Sequence, residues 1–393
     1  MKTRPIREHG FWDYTCPVAG GMEGFTGDDY LSLLDDMAAV GMNSLAICPK
    51  WMTTGYRSRL PYLDQSPANP VIASSNELLR FAIAEARKRK IKVWLAAVVN
   101  FFPAKGSGAR PRSVLDKLLD FKFPFQVGCY DSDLPLVRAR AAEVCAELVE
   151  LFPGIGGLVI ELENDNIESP RRIPLYNKWA AANKRRPFQE LGHPFNPRYV
   201  SMTEWRDYTT HCRLEIVRAV ERETRKRGFR GDLALVCGMG GDCYEKKTEV
   251  NYEMLHKHAP GCAFVAYWYE NNPHQRFFAK EMGIAAPRMF GVKAFYLPRG
   301  VMTWGIPGFK GLPLEKHWQM DVDDAGLFRP DGLWWFGCGT VNDGVHVSLS
   351  KLRKLGYRNG AEARRSLLRI CRGLRACCKN QIRPQRGRLQ PEI

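Results

Sequence analysis

The chain has 393 residues, 45% hydrophobic and 25% charged, which is material for one large core or two ordinary domains and gives a globular composition. Its net charge of +16 invites a nucleic-acid partner, yet the residues from Lys351 onward hold thirteen Lys or Arg against two Glu, so most of the excess belongs to one end. No apolar run follows the basic start MKTRPIREHGFWDYT, and no stretch approaches the roughly 18 to 20 apolar residues that cross a bilayer, so a soluble, cytoplasmic protein with no membrane partner is expected.

Eight short runs rich in Val, Ile, Phe, Tyr and Trp alternate along the chain with stretches of helical periodicity. The first run is FWDYTCP (11 to 17). A helix over 28 to 41 follows, opened by Asp28 and Asp29 and stopped by Gly41. NSLAICPKW (43 to 51) is the second run, and the helix after it carries a Ser74 and Glu77 capping box and a basic end. KVWLAAVVN (92 to 100) leads into a long loop, 101 to 132. GGLVIELEN (156 to 164) leads into another, 165 to 200, before a helix opened by Ser201 and Glu204 and ended by Gly228. The remaining runs are 232 to 240, 263 to 271, 292 to 302 and 332 to 339. Arg364, Arg365, Arg369, Arg372 and Arg375 then fall at helical spacing around Leu367, Leu368 and Leu374. They read as the solvated face of a last helix in preference to a nucleic-acid patch.

Strands apolar on both faces belong to parallel sheets covered by helices. Eight such units in series predict a closed (β/α)8, or TIM, barrel rather than a doubly wound sheet, because no Gly-rich fingerprint follows the first strand. One barrel domain over 1–376 is expected, with a disordered basic tail over 377–393. The two long loops both follow strand C-terminal ends, where barrels of this class carry their active sites. Twelve cysteines without a CxxC pair read as reduced core thiols.

The fourth run carries the chemistry. Alternation puts Gly157, Val159, Glu161 and Glu163 on one strand face and Leu158, Ile160 and Leu162 on the other, so two carboxylates face the axis at the top of the barrel. Burying them without purpose or partner is costly. The structural alternative pairs them with Lys50 or Arg299. Two carboxylates in unequal surroundings suit glycosidic bond cleavage, one protonated to donate to the leaving oxygen and one ionised.

The stretch GLVIELE (157 to 163) resembles the fourth-strand signature of chitinase-like barrel glycosidases, in which Gly and alternating apolar residues lead to an acid, a spacer and a catalytic Glu. The resemblance implies Glu163 as proton donor and Glu161, standing where the family has Asp, as its support. It extends to AYWYEN, with Tyr267, Tyr269 and Glu270 near the end of strand six, and to Trp334 and Trp335 on strand eight. In this reading Glu163, Glu161 and Glu270 are catalytic, with Asp13 a second source of the opposing carboxylate. Asp13, Lys50, Trp51, Asn100, Asn164, Tyr267, Tyr269, Arg299, Trp304 and Trp335 are expected to bind substrate, and Lys50 and Arg299 suit an anionic sugar. A carbohydrate partner is expected, with no cofactor. His256 and His258 do not share a helical face, and no metal site is expected. Two rivals remain: a barrel lyase or isomerase using the glutamates for proton abstraction or metal binding, and a non-catalytic carbohydrate-binding barrel.

Overall fold

A computed structural model describes residues 6–16, 21–22, 24–63, 75–103, 113–114, 127–163, 170–191, 202–237, 250–267, 281–301, 313–339 and 348–380. Its strands are β1 (Glu8–Tyr14), β2 (Ser44–Lys50), β3 (Lys92–Val98), β4 (Phe101–Pro103), β5 (Ser113–Val114), β6 (Val127–Cys129), β7 (Gly157–Leu162), β8 (Asp232–Cys237), β9 (Cys262–Tyr267), β10 (Ala294–Leu297) and β11 (Gly332–Phe336). Eight of them close into a parallel barrel in the order β1-β11-β10-β9-β8-β7-β3-β2, and helices alternate with the strands. The chain is therefore a (β/α)8 barrel. Strands β2 and β7 are buried along their whole length, as expected of strands covered on both faces.

Aromatic side chains fill the lower half of the barrel. Trp94 on β3 meets Phe295 on β10 at 5.7 Å and Trp334 on β11 at 5.3 Å, contacts that only inward-pointing residues of these strands can make. Gly157 follows from this plug: a Cβ there would sit 2.2 Å from the Trp94 ring. The same contact fixes the facing of β7, because it puts Gly157, and with it Val159, Glu161 and Glu163, on the inside.

The N-terminal end of the barrel is closed by a polar network. Glu8 accepts hydrogen bonds from Lys92 Nζ (2.8 Å), Trp94 Nε1 (2.6 Å) and Ser44 Oγ (3.0 Å). Lys92 also reaches Asp232 at 2.5 Å, and Ser44 Oγ accepts from Trp334 Nε1 at 2.9 Å. These groups thus satisfy one another.

The first helix, Gly27–Ala39, begins one residue before Asp28 and is capped by a reciprocal Thr26 and Asp29 box. Ser74 and Ser201 lie outside the described residues. The last helix, Gly360–Asn380, runs four residues past the expected domain boundary at 376. Arg365, Arg369 and Arg372 are exposed on it as expected, but Arg364 is not. Its guanidinium is buried, paired with Asp36 at 3.0 Å and within 3.3 Å of Ser32 Oγ, so it ties the last helix to the first and closes the outer ring. Among the described residues, Cys16, Cys48, Cys129, Cys145, Cys212, Cys262, Cys338 and Cys371 are buried. No helix of the described residues is long and apolar enough to cross a membrane.

The two long insertions carry structure of their own. The first holds a small antiparallel sheet in the order β4-β6-β5. The second supplies the helix Ile173–Ala182, which joins the start of the helix Met202–Lys226 in a satellite core of Tyr176, Phe188, Trp205 and Tyr208. A buried ion pair, Arg172 to Asp133 at 2.8 Å, fastens the second insertion to the segment that ends the first.

Candidate active site

The C-terminal mouth is built from strand ends. Strand β7 delivers Glu161, fully buried, and then Glu163, partly exposed at its rim. Across the barrel Tyr14 leaves β1 on the inner face, packing against Trp51 at 5.6 Å and Phe336 at 5.5 Å. Both glutamates lie close enough to Tyr14 that their charges, added to its burial, push the phenol well above its ordinary pKa, so it stays a neutral hydroxyl.

Glu163 is held from behind. Asn100, fully buried at the end of β3, receives the Glu163 N–H on Oδ1 (3.0 Å) and donates from Nδ2 to the Glu163 carbonyl (2.7 Å). The same Nδ2 reaches the Tyr130 carbonyl at 3.2 Å, so one amide locks β3, β7 and the end of the first insertion together. With its backbone clamped, the side chain is committed to a water-poor site. Burial pushes the Glu163 carboxyl up to about 7, against the opposing pull of a side-chain hydrogen bond with Trp51. A carboxylic acid that titrates near neutrality can give up or take a proton under ordinary conditions.

Strand β2 reaches the mouth irregularly. Its register against β3 shifts between Ile47 and Lys50, and such an irregularity re-aims the side chains beyond it. Lys50, expected at the substrate, turns its ammonium into the wall, where it donates to the carbonyls of Trp51 (2.5 Å), Val98 (3.2 Å) and Phe101 (2.7 Å). Burial draws its pKa down to about 8, while the nearby Glu161 is among the charges that oppose the fall. Lys50 thus staples β2 to the turn after β3.

Two expected site residues stand on the outer side of the barrel wall. Trp12 and Tyr14 occupy the inside of β1, so Asp13 between them faces out. Its carboxylate accepts the Cys338 N–H at 2.8 Å and thiol at 3.0 Å, and the Tyr14 N–H at 2.8 Å. Burial lifts it to about 6 despite those bonds. Trp335 likewise lies between the inward Trp334 and Phe336, and its indole donates to His9 Nε2 at 3.0 Å. Neither position faces the cavity, which corrects the expectation for both.

Arg299 is buried just past β10, where its backbone pairs with Phe336 at the mouth. Tyr267 ends β9 at the same level. Asn164, Tyr269, Glu270 and Trp304 lie outside the described residues. Tyr14 is not among the expected site residues; its position opposite the glutamates gives it a place in the site. Its signal is the period-2 register of β1 once Trp12 is known to face in.

No family model matches the chain, and no curated protein matches its sequence. Solved structures match its fold. It is similar to a GH138 enzyme targeting pectin rhamnogalacturonan II, at 11% identity and a TM-score of 0.50 over 94% of this chain and 40% of that one. The PgaB (BpsB) glycoside hydrolase domain from Bordetella bronchiseptica matches at 12% identity and a TM-score of 0.54, over 85% of this chain and 94% of that domain. A GH20 exo β-N-acetylglucosaminidase from Vibrio harveyi matches at 12% and 0.52, over 96% and 57%. The chain thus spans less than two thirds of the first and third of these proteins, and at such identities the likeness is one of barrel fold.

Proposed function

We propose that the chain is a glycoside hydrolase-like enzyme that cleaves glycosidic bonds at the C-terminal face of its barrel, with Glu163 as the general acid. One observation carries this reading: a glutamate whose backbone is clamped at the end of the fourth barrel strand and whose carboxyl burial pushes up to about 7. It is protonated often enough to donate to a leaving oxygen and acidic enough to release that proton. Similarity in fold to several carbohydrate-cleaving barrels supports it.

In this reading Asn100 and Lys50 are positioning residues that fix Glu163 and the walls around it. Glu161, two residues earlier on the same inner face, is the supporting acid of this reading. The neutral Tyr14 hydroxyl and the Trp51 indole face the sugar beside the scissile bond. The opposing carboxylate is assigned to Glu270, since Asp13 faces away from the cavity. Tyr267, Tyr269, Asn164, Arg299 and Trp304 complete the substrate surface, and Arg299 suits an anionic sugar such as a uronate.

The test is phenol release from aryl glycosides spanning neutral, N-acetylated and uronic sugars, by the wild type and by Glu163→Gln. Release by the wild type alone is expected. Equal rates from both proteins would remove Glu163 from the chemistry, and silence from both across the panel would count against hydrolysis of glycosides.

A further inference from the structure

A pocket lies outside the barrel mouth, between the second insertion and the helices Pro135–Leu151 and Met202–Lys226. It encloses about 170 Å³ and is open on one side. Trp179 from the second insertion and His211 from the helix Met202–Lys226 form one wall, their rings 6.2 Å apart and inclined at 35°. Tyr208 and Leu175 add apolar surface, and the Arg138 and Glu215 pair, at 3.6 Å, leaves the rim neutral.

The floor holds an incomplete polar group. The Asp133 side chain is 3% exposed, and its two donors both converge on one oxygen. Arg172 Nε and Tyr208 Oη each reach Oδ2 at 2.8 Å. The other oxygen, Oδ1, is buried and has no hydrogen-bond partner among the described residues. A buried carboxylate oxygen without a donor is costly, and it asks for a hydroxyl or amine from outside. Arg172 already balances the charge, so a neutral hydroxyl is sufficient. Aromatic walls that pack the apolar face of a ring, with Asp133 lining the same pocket as an acceptor for a hydroxyl, suit a pyranose. About 170 Å³ is room for one such ring.

We propose that this pocket is an accessory carbohydrate site that holds a single neutral sugar ring outside the barrel. It goes beyond the reading of Glu163 and stands on its own residues. Its location gives it a use: Asp133 lies three residues beyond Tyr130, whose carbonyl shares the Asn100 amide with Glu163. A glycan held here stays tethered beside the mouth, which raises its local concentration there.

The experiment is saturation-transfer NMR on the full chain with glucose, galactose, mannose and N-acetylglucosamine at millimolar concentration, repeated on Trp179→Ala, Trp179→Phe and Glu163→Gln. At least one sugar should receive saturation from the wild type and from Glu163→Gln. Trp179→Ala should weaken binding about tenfold and Trp179→Phe only about twofold to threefold, since a ring is retained. Thermal melts check each fold; should Trp179→Ala melt early, His211→Ala on the same wall carries the test. Saturation undiminished in the folded wall variants would place the sugar elsewhere and overturn the proposal, as would the absence of transfer to every sugar. Because the readout is binding, it is independent of whether Glu163→Gln abolishes cleavage.

Discussion

The two ends of the barrel hold their carboxylates in opposite ways. At the N-terminal end Asp232 meets Lys92 at 2.5 Å, and although burial alone would raise its pKa, the Lys92 bond and the charges of Lys92, Lys293 and Arg225 hold it below its ordinary value. At the C-terminal mouth Glu163 is half-buried, its backbone receives the clamp while its carboxyl receives little, and its pKa climbs to about 7. A carboxylate surrounded by cations stabilises a fold; one starved of them is poised to exchange a proton. The same fold separates the two tasks by the length of a strand.

The largest effect that would sharpen this comparison is on turnover. Glu163→Gln keeps the shape and the backbone clamp and removes the proton, so activity on whichever aryl glycoside the wild type hydrolyses should fall by about 10²–10⁴-fold. The opposite end should respond in stability alone. Glu8→Ala leaves Lys92, Trp94 and Ser44 without their common acceptor and should cost about 2–4 kcal/mol in denaturant melts, with kcat per folded molecule unchanged. A fall in kcat there would break the division of labour. Between the two lies Asn100→Ala, which frees Glu163 while leaving its carboxyl intact. Displacement of the acid should lower kcat roughly 10- to 100-fold with KM little changed, and the lost hydrogen bonds should cost about 1–3 kcal/mol.

The barrel itself was legible because its signal is local: both-face apolar strands alternate with helices whose caps and periodicity read from neighbouring residues. The first strand begins earlier than its apolar run suggests, at Glu8, because a charged residue there is satisfied by Lys92 and Trp94, partners 84 and 86 positions away. Facing was legible where the sequence alternates visibly. Glu161 and Glu163 interleave with Ile160 and Leu162, so their common side can be read off. In GLWWF every residue is apolar, and nothing local says which tryptophan faces the axis; the Trp94 and Phe295 contacts decide for Trp334. Asn100 shows the other limit. Beside a strand end it reads as a substrate contact, and only the 63-residue jump to Glu163 reveals it as a clamp. Arg364 is similar, since its helical spacing with exposed arginines hides the Asp36 partner on the first helix.

The smallest predicted effect is also the one that reads the comparison most directly, because the two carboxylates should depend on pH with opposite sign. Glu163 has its folded pKa raised from 4.5 to about 7, so the folded state holds its proton more tightly than the unfolded chain does. The stability this lends is fully present below about pH 4.5 and is lost as pH rises through about 7. By pH 8 the ionised side chain is a burden on the fold, and Glu163→Gln should be more stable than the wild type by about 1–3 kcal/mol, the gap closing toward pH 5. Asp232 has its folded pKa lowered, so its contribution is present above its unfolded value of 3.8 and disappears as pH falls. Asp232→Asn should therefore be less stable than the wild type at neutral pH, with a gap that narrows in acid instead of in base. Chemical-denaturation curves of the three proteins from pH 4 to 8 measure both differences. Gaps that moved in the same direction would mean that the mouth satisfies its carboxylate as fully as the closed end does, and Glu163 would lose the property that suits it to donate a proton.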